Sequence, residues 1–263
     1  MKLSVFASGS TGNCLLLSDL NTDIFIDAGI SMRRMQDFLF RTGRSWRDIG
    51  GVLITHEHSD HICALEALLR RTALPVYAPP VVAAHLSRLT AWPEGRLRVV
   101  EPGEAFEIGA LSILPFRTPH DTEESVGYRV TGSSVFALAT DMGCVTEEVL
   151  AGLLGADAAL IEANHDLAML VNGPYPYPLK RRILSEHGHL SNLDCARLAR
   201  QLALSGTRQI VLGHLSRENN RPELALQTVS AALEGLDTEL CCAPVLGPLE
   251  LTVRRGSACC TSN

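Results

Sequence analysis

No stretch of this chain reaches the roughly 18 continuous apolar residues of a membrane span, so no segment is expected to cross a bilayer. The first residues enter a strand pattern directly, without the charged and apolar stretches of a secretory leader, and the expected location is the cytoplasm. Thiolate metal chemistry is poorly provided for. Eight cysteines stand at positions 14, 63, 144, 195, 241, 242, 259 and 260, with no C-x-x-C pair and no paired framework. That pattern argues against a zinc finger or a disulfide scaffold and for reduced thiols, with Cys63 and Cys144 read as small buried hydrophobes. A basic excess is missing as well: 23 Lys and Arg against 29 Asp and Glu leave a net charge of −6, so any nucleic-acid surface has to be local. No Pro/Gly/Ser-rich linker divides the 263 residues, of which 46% are hydrophobic. The expectation is one domain over residues 1–253 and a disordered tail over 254–263.

What the chain does have is concentrated in Val52-Leu53-Ile54-Thr55-His56-Glu57-His58-Ser59-Asp60-His61-Ile62-Cys63. A short β-rich run, preceded by Gly50-Gly51, reads as a strand covered on both faces. The histidines and aspartate that follow cannot be core, because imidazole and carboxylate groups are costly to bury unpaired. A divalent cation resolves that cost. In a turn leaving a strand, His56 and His58 can face one side while Asp60 and His61 open a helix and face the other. One short segment can then serve two adjacent ions.

These residues match the signature of the metallo-β-lactamase superfamily. With Ser8-Gly9-Ser10-Thr11-Gly12-Asn13-Cys14, Phe25-Ile26-Asp27-Ala28-Gly29, Ile161-Glu162-Ala163-Asn164-His165-Asp166, Gly188-His189-Leu190-Ser191-Asn192 and Gly213-His214-Leu215-Ser216, the chain resembles the YycJ (WalJ) family of small single-domain nucleases. Along the sequence, strand patterns over 3–7, 23–27, 52–55, 76–77, 125–130, 133–139, 158–161 and 209–212, and others within 96–117, alternate with helical patterns. The helices are read over 31–41, 64–71, from Pro79-Pro80, 145–154, 192–204 and 222–233. Polar residues collect at strand ends. The resemblance implies an α/β fold, the αββα sandwich of two mixed β-sheets flanked by helices.

Carried over by motif, His56, His58 and His120 would bind one metal, Asp60, His61 and His214 the second, and Asp141 would bridge both. Asp27 would support the histidine motif from behind. A nitrogen and oxygen donor set suits two divalent ions, zinc or manganese and possibly iron. A water between two such cations, about 3.5 to 4 Å apart, is a hydroxide near neutral pH and an in-line nucleophile. Asp60 and His189 are the catalytic candidates, His189 as general acid, with helix capping beside Ser191-Asn192 as its plain alternative. Ser10, Thr11 and Asn13 offer a small polar loop that reads equally as an anion cradle and as a hairpin turn. His165 reads as a residue either behind the ligands or on the substrate side, Ser216 is a further substrate-side candidate, His187 is a more doubtful one, His85 reads as structural, and Lys180-Arg181-Arg182 could hold a phosphate backbone. The 72 residues between Asp141 and His214 are too few for an inserted clamp domain. The motifs then imply a 5′-to-3′ exonuclease on DNA with a free 5′ end. A small-molecule thioester, lactone or cyclic phosphodiester hydrolase is the rival, and a non-catalytic module is disfavoured by the complete ligand set.

Overall fold

Leu3, Val5, Leu15, Leu17, Ile24 and Ile26 pack into one apolar cluster, and their chain neighbours Phe6, Leu16 and Phe25 into another. Strands apolar on both faces belong inside a layered fold, because successive side chains point to opposite sides. The computed structural model describes residues 1–255. Its first half contains β1 (Lys2–Ala7), β2 (Cys14–Asp19), β3 (Thr22–Ile26), α1 (Met32–Arg41), β4 (Ile49–Leu53), α2 (Ser59–Ile62), α3 (Leu65–Arg71), β5 (Val76–Ala78), α4 (Pro80–Leu89) and β6 (Leu97–Val99). The second contains β7 (Phe106–Ile108), β8 (Leu111–Arg117), β9 (Val126–Thr131), β10 (Val135–Ala139), α5 (Glu147–Leu153), β11 (Ala158–Glu162), α6 (Leu167–Asn172), α7 (Tyr177–Ile183), α8 (Asn192–Leu204), β12 (Gln209–Gly213), α9 (Pro222–Ala232), β13 (Glu239–Cys242) and β14 (Leu249–Thr252).

The strands form two seven-stranded mixed sheets, ordered β14-β1-β2-β3-β4-β5-β6 and β13-β12-β11-β10-β9-β8-β7. Residues such as Leu17, Ile24, Leu53, Ile113, Tyr128 and Leu160 fill the space between them. Outside the first sheet, Phe25, Val52 and Val76 meet Met35, Phe38, Leu68 and Val82 of the helices. Outside the second, Ala137, Ile161 and Leu212 meet Val149, Leu198 and Val229. The αββα sandwich is therefore present, with buried apolar side chains filling the inter-sheet layer and both helix-covered layers.

Local chemistry explains where the helices begin. Ser31 and Ser191 cap α1 and α8, accepting the backbone N–H of Arg34 at 3.4 Å and Asp194 at 3.1 Å. The stretch expected over 64–71 is α3, but the helix expected to open at Asp60 and His61 does not run on into it: the chain breaks between α2 and α3 at Cys63–Ala64, where the Ala64 N–H turns to the Ala28 carbonyl at 2.9 Å. That turn leaves Cys63 exposed, and Cys144, ahead of α5, is only half-buried, both contrary to their reading as buried hydrophobes. Arg254, the first residue of the expected tail, is tied to Glu239 at 2.7 Å and to Gln209 at 3.1 Å. The rest of that tail, with Cys259 and Cys260, lies outside the described residues.

The site is set by strand direction. β3 and β4 run parallel in one sheet, and β10, β11 and β12 run parallel in the other. Asp27, Thr55, Asp141, Glu162 and His214 each stand at or just past a carboxyl end, so the two sheets deliver their polar residues to one edge.

Candidate metal centre

Asp27 is the first piece of the scaffold. Its carboxylate accepts the Thr55 N–H at 2.9 Å and the Thr55 hydroxyl at 3.0 Å, and lies 2.8 Å from His61 Nδ1. Thr55 Oγ1 in turn lies 3.1 Å from Nδ1 of both His56 and His61. One buried pair thus fixes two imidazoles with their Nε2 atoms turned the other way. The Asp27-Ala28-Gly29 segment also clamps the turn at α2. Ala28 N–H donates to the His61 carbonyl, Asn13 N–H to Asp60 and Gly29 N–H to Asn13, each at 2.8 Å. Only glycine fits at position 29, where a Cβ would stand 1.6 Å from the Asp60 carbonyl oxygen.

Two groups of donors face the space this creates. His56 Nε2 and His120 Nε2 lie 3.1 and 3.3 Å from His58 Nδ1. His61 Nε2 lies 3.6 Å from Asp60 Oδ2, and His214 Nε2 lies 3.7 Å from it. Asp141 stands between the groups: Oδ2 is 3.3 Å from His61 Nε2, and Oδ1 is 3.3 Å from His214 Nε2 and 3.8 Å from His120 Nε2. Asp141 Oδ2 and His214 Nε2 are buried with no hydrogen-bond partner among the described residues. Tetrahedral coordination at 2.0–2.1 Å sets donors about 3.3 Å apart, so the spacing within these groups suits a divalent cation. The backbone is bent to achieve it. Asp27, Asp141 and His214 take φ of 59°, 55° and 53°, a left-handed conformation that costs energy in non-glycine residues and collects at functional sites.

The charges agree with that reading. Burial pulls the His61 imidazole down, but the carboxylates of Asp27 and Asp141 outweigh it and hold it at about 10. His214 is likewise raised against burial by Asp141, Asp60 and Glu162. Burial favours a protonated Asp141, yet His214, His61 and His56 keep its carboxyl well below the usual range. Burial and the neighbouring imidazoles lower His56, and burial lowers His120. Buried carboxylates here hold protons on imidazoles, and a divalent cation would balance the same charge.

Residues 22–215 match the beta-lactamase superfamily domain. Exodeoxyribonuclease YycJ of Bacillus anthracis is 36% identical over 236 residues, 89% of each chain. Exodeoxyribonuclease WalJ of Streptococcus pneumoniae is 36% identical over 243 residues, 90% of this chain and 89% of that one. The chain belongs to the YycJ/WalJ family of the metallo-β-lactamase superfamily. Among solved structures, the metallo-β-lactamase fold protein YhfI of Bacillus subtilis shares the fold, with a TM-score of 0.73 at 17% identity over 95% of this chain and 99% of that one. This YycJ/WalJ family member is an enzyme, and its histidine and aspartate cluster suits divalent metal.

Glu162 is the site residue that its sequence did not single out by role. Fully buried, it has Oε1 at 2.8 Å from His189 Nδ1 and 3.0 Å from His214 Nδ1, while Oε2 accepts the N–H of Met142 at 2.9 Å and of Leu190 at 3.3 Å. Burial alone would raise its pKa, but His189 and His214 hold it at about 2. His189 is raised in return, its burial outweighed by Glu162. An acidic residue ending an apolar strand, as Asp27 and Asp141 nearly do, was the available signal. His189 itself is not the helix cap, since Ser191 does that work, and 23% of its side chain remains accessible.

The other family-motif residues divide into inner and outer positions. Asn13 is buried, its amide 3.0 Å from His61 Nε2 and 3.4 Å from Asp60 Oδ2, and Gly9 N–H donates to its Oδ1 at 2.9 Å. His165 is 1% exposed and neither ring nitrogen has a partner among the described residues, so its ring lies inside the protein. Burial, its largest influence, lowers it to about 4. Ser216 is buried and accepts the Asn219 N–H at 3.2 Å. Ser10 and Thr11 are exposed at the tip of the β1–β2 hairpin, so the turn reading holds for the backbone. Of the basic run, Lys180 donates to the carbonyls of Val171 and Gly173 and Arg182 pairs with Asp121, which leaves Arg181. His187 is exposed. His85 lies exposed on α4, in a cavity of about 440 Å³ shared with Cys63 and Trp92.

Proposed function

We propose that this enzyme is a metal-dependent phosphodiesterase, a 5′-to-3′ exonuclease acting on DNA with a free 5′ end. The observation that carries the reading is the pair His189 and Glu162, which sets a proton-bearing imidazole 3.9 Å from Asp141, against the donor cluster. Its relatives' names, exodeoxyribonuclease in both cases, favour DNA over other esters.

His56, His58 and His120 would hold one cation, Asp60, His61 and His214 a second, with Asp141 between them. Bound there, zinc, manganese or iron would supply a nucleophile at neutral pH and neutralise charge on the attacked phosphate. The chain's own residues do the rest. Glu162 keeps the proton on His189 Nδ1 and turns Nε2 outward, where the imidazolium gives its proton to the leaving 3′-oxygen. Asp60, partly exposed beside His61 and His214, lies next to the attacked group. Ser10 and Thr11 face the strand end with their hydroxyls, while Asn13 and Ser216 brace that face from inside. Six described cysteines are unpaired, which fits the cytoplasmic setting proposed for it; no helix among the described residues is long and apolar enough to cross a membrane.

Metal-loaded protein should be given end-labelled single- and double-stranded DNA and RNA beside a panel of small esters. Mononucleotides released in order from the 5′ end of DNA are expected. Turnover of the esters with both nucleic acids left intact would overturn the reading.

A further inference from the structure

Arg217 stands three residues beyond His214, and its guanidinium donates to Thr11 Oγ1 at 3.0 Å. The contact joins the exit of β12 to the β1–β2 hairpin, two segments already stitched by the His214 N–H donating to Ser8 Oγ at 2.9 Å. No carboxylate pairs with Arg217 among the described residues, although the chain as a whole is acidic, with net charge −6. The corner adjoins the metal centre, because Asn13, two residues past Thr11, has its amide 3.0 Å from His61 Nε2. Its donors are unspent. Ser10 and Thr11 are exposed, and neither of their amides donates to a backbone carbonyl among the described residues, the turn bond running instead from Gly12 N–H to the Gly9 carbonyl.

We propose that Arg217, with Ser10 and Thr11, seats the 5′-terminal phosphate monoester of the strand being digested, and so makes cleavage depend on that phosphate. The inference rests on the DNA exonuclease reading above and adds the residue that would select the end. A guanidinium presents a planar fork of donors, of which Thr11 uses one, leaving the others for phosphate oxygens. A terminal monoester carries close to two charges at neutral pH and three free oxygens, whereas an internal diester carries one charge and two. A free cation, two hydroxyls and two amides at one corner match the monoester better. The proposal also explains why the hairpin tip is polar and exposed while its base, at Asn13, is buried against the ligands.

The test uses the full chain, metal-loaded, with 3′-fluorescein single-stranded oligodeoxynucleotides bearing either a 5′-phosphate or a 5′-hydroxyl. The unmodified enzyme should prefer the phosphorylated end by roughly tenfold or more in kcat/KM, the range of a charge-assisted contact. Arg217→Ala should bring that ratio close to one, mainly through KM, and Arg217→Lys should keep part of it. If Arg217→Ala melts early, Thr11→Val replaces it, and the ratio must fall there too. An enzyme indifferent to the 5′ end, or equal losses on both substrates, would overturn the proposal, the second result placing Arg217 on an internal phosphodiester. Loss of bound metal in Arg217→Ala would also overturn it. An enzyme that cleaves neither DNA but turns over RNA or esters fails the DNA reading itself, a different result from end-indifferent cleavage.

Discussion

Replacing Glu162 with glutamine keeps its shape and removes one charge from the point where the His189 and His214 imidazoles meet. All four contacts to the carboxylate come from donors: two imidazole N–H groups on Oε1 and the N–H groups of Met142 and Leu190 on Oε2. An amide can accept on one side only, and its NH₂ would face donors on the other. The size of the effect follows from linkage. Glu162 is held at about 2 against an ordinary 4.5. A carboxyl lowered in this way contributes stability that is fully present above pH 4.5 and is lost as pH falls through 2. At about 1.36 kcal/mol per pH unit, the contribution is about 3 kcal/mol. Glu162→Gln should therefore lower unfolding free energy by about that amount at pH 7, with the gap to the unmodified protein closing between pH 4.5 and 2. Denaturant titrations at a series of pH values measure this. The variant should also lose much of its phosphodiesterase rate, since His189 no longer has a carboxylate to orient it and raise its pKa. A destabilisation independent of pH would mean that packing is responsible, and full activity would separate Glu162 from the reaction.

Asp141→Ala should lower bound metal from about two ions per chain to one or fewer by elemental analysis of chelator-free protein; unchanged content would remove Asp141 from the ligand set. His189→Ala should slow a natural phosphodiester by roughly 10² to 10⁴ while metal content stays intact. A bis-aryl phosphate, whose leaving group needs no proton, should be slowed far less, and equal slowing would make His189 a positioning group. Gly29→Ala places a Cβ 1.6 Å from the Asp60 carbonyl oxygen. It should cost roughly 3 kcal/mol or more and loosen metal binding, and a variant of ordinary stability and metal content would count against the clamp described for this segment.

Much of this arrangement was legible because strands buried on both faces leave few places for polar side chains. Runs such as Val52-Leu53-Ile54 and Leu160-Ile161 are long enough only to cross a sheet, so the histidine or carboxylate that follows must lie at an edge. The caps at Ser31 and Ser191 follow the same local logic, a hydroxyl just ahead of a helical pattern. What escaped depends on distant partners. β13 and β14 are short edge strands with partly exposed faces, defined by their pairing with β12 and β1. α6 and α7 have six and seven residues and lie around Pro174 and Pro176, too short for periodicity to show. Polar neighbours left His165 open between an inner and an outer place, and the pairing of its segment with Ser191 goes with a ring turned inward.

Glu162 and Arg217 were hidden in a further sense. Glu162 lies within a recognised motif and Arg217 just past one, but neither side chain's partner is close in sequence: Glu162 reaches His189, 27 residues on, and His214, 52 residues on, while Arg217 reaches back 206 residues to Thr11. Local chemistry can say that an acid at a strand tip will face the edge of a sheet. It cannot say which imidazoles will meet it there, because that depends on how β11 and β12 pair in register, with Glu162 opposite Gly213. A one-residue slip in that pairing would turn every side chain of one strand to the other face, taking the acid from behind His214. The contact of Glu162 with His189 and His214 thus depends on the same hydrophobic alternation that packs Leu160 between the sheets and Ile161 beneath the helices.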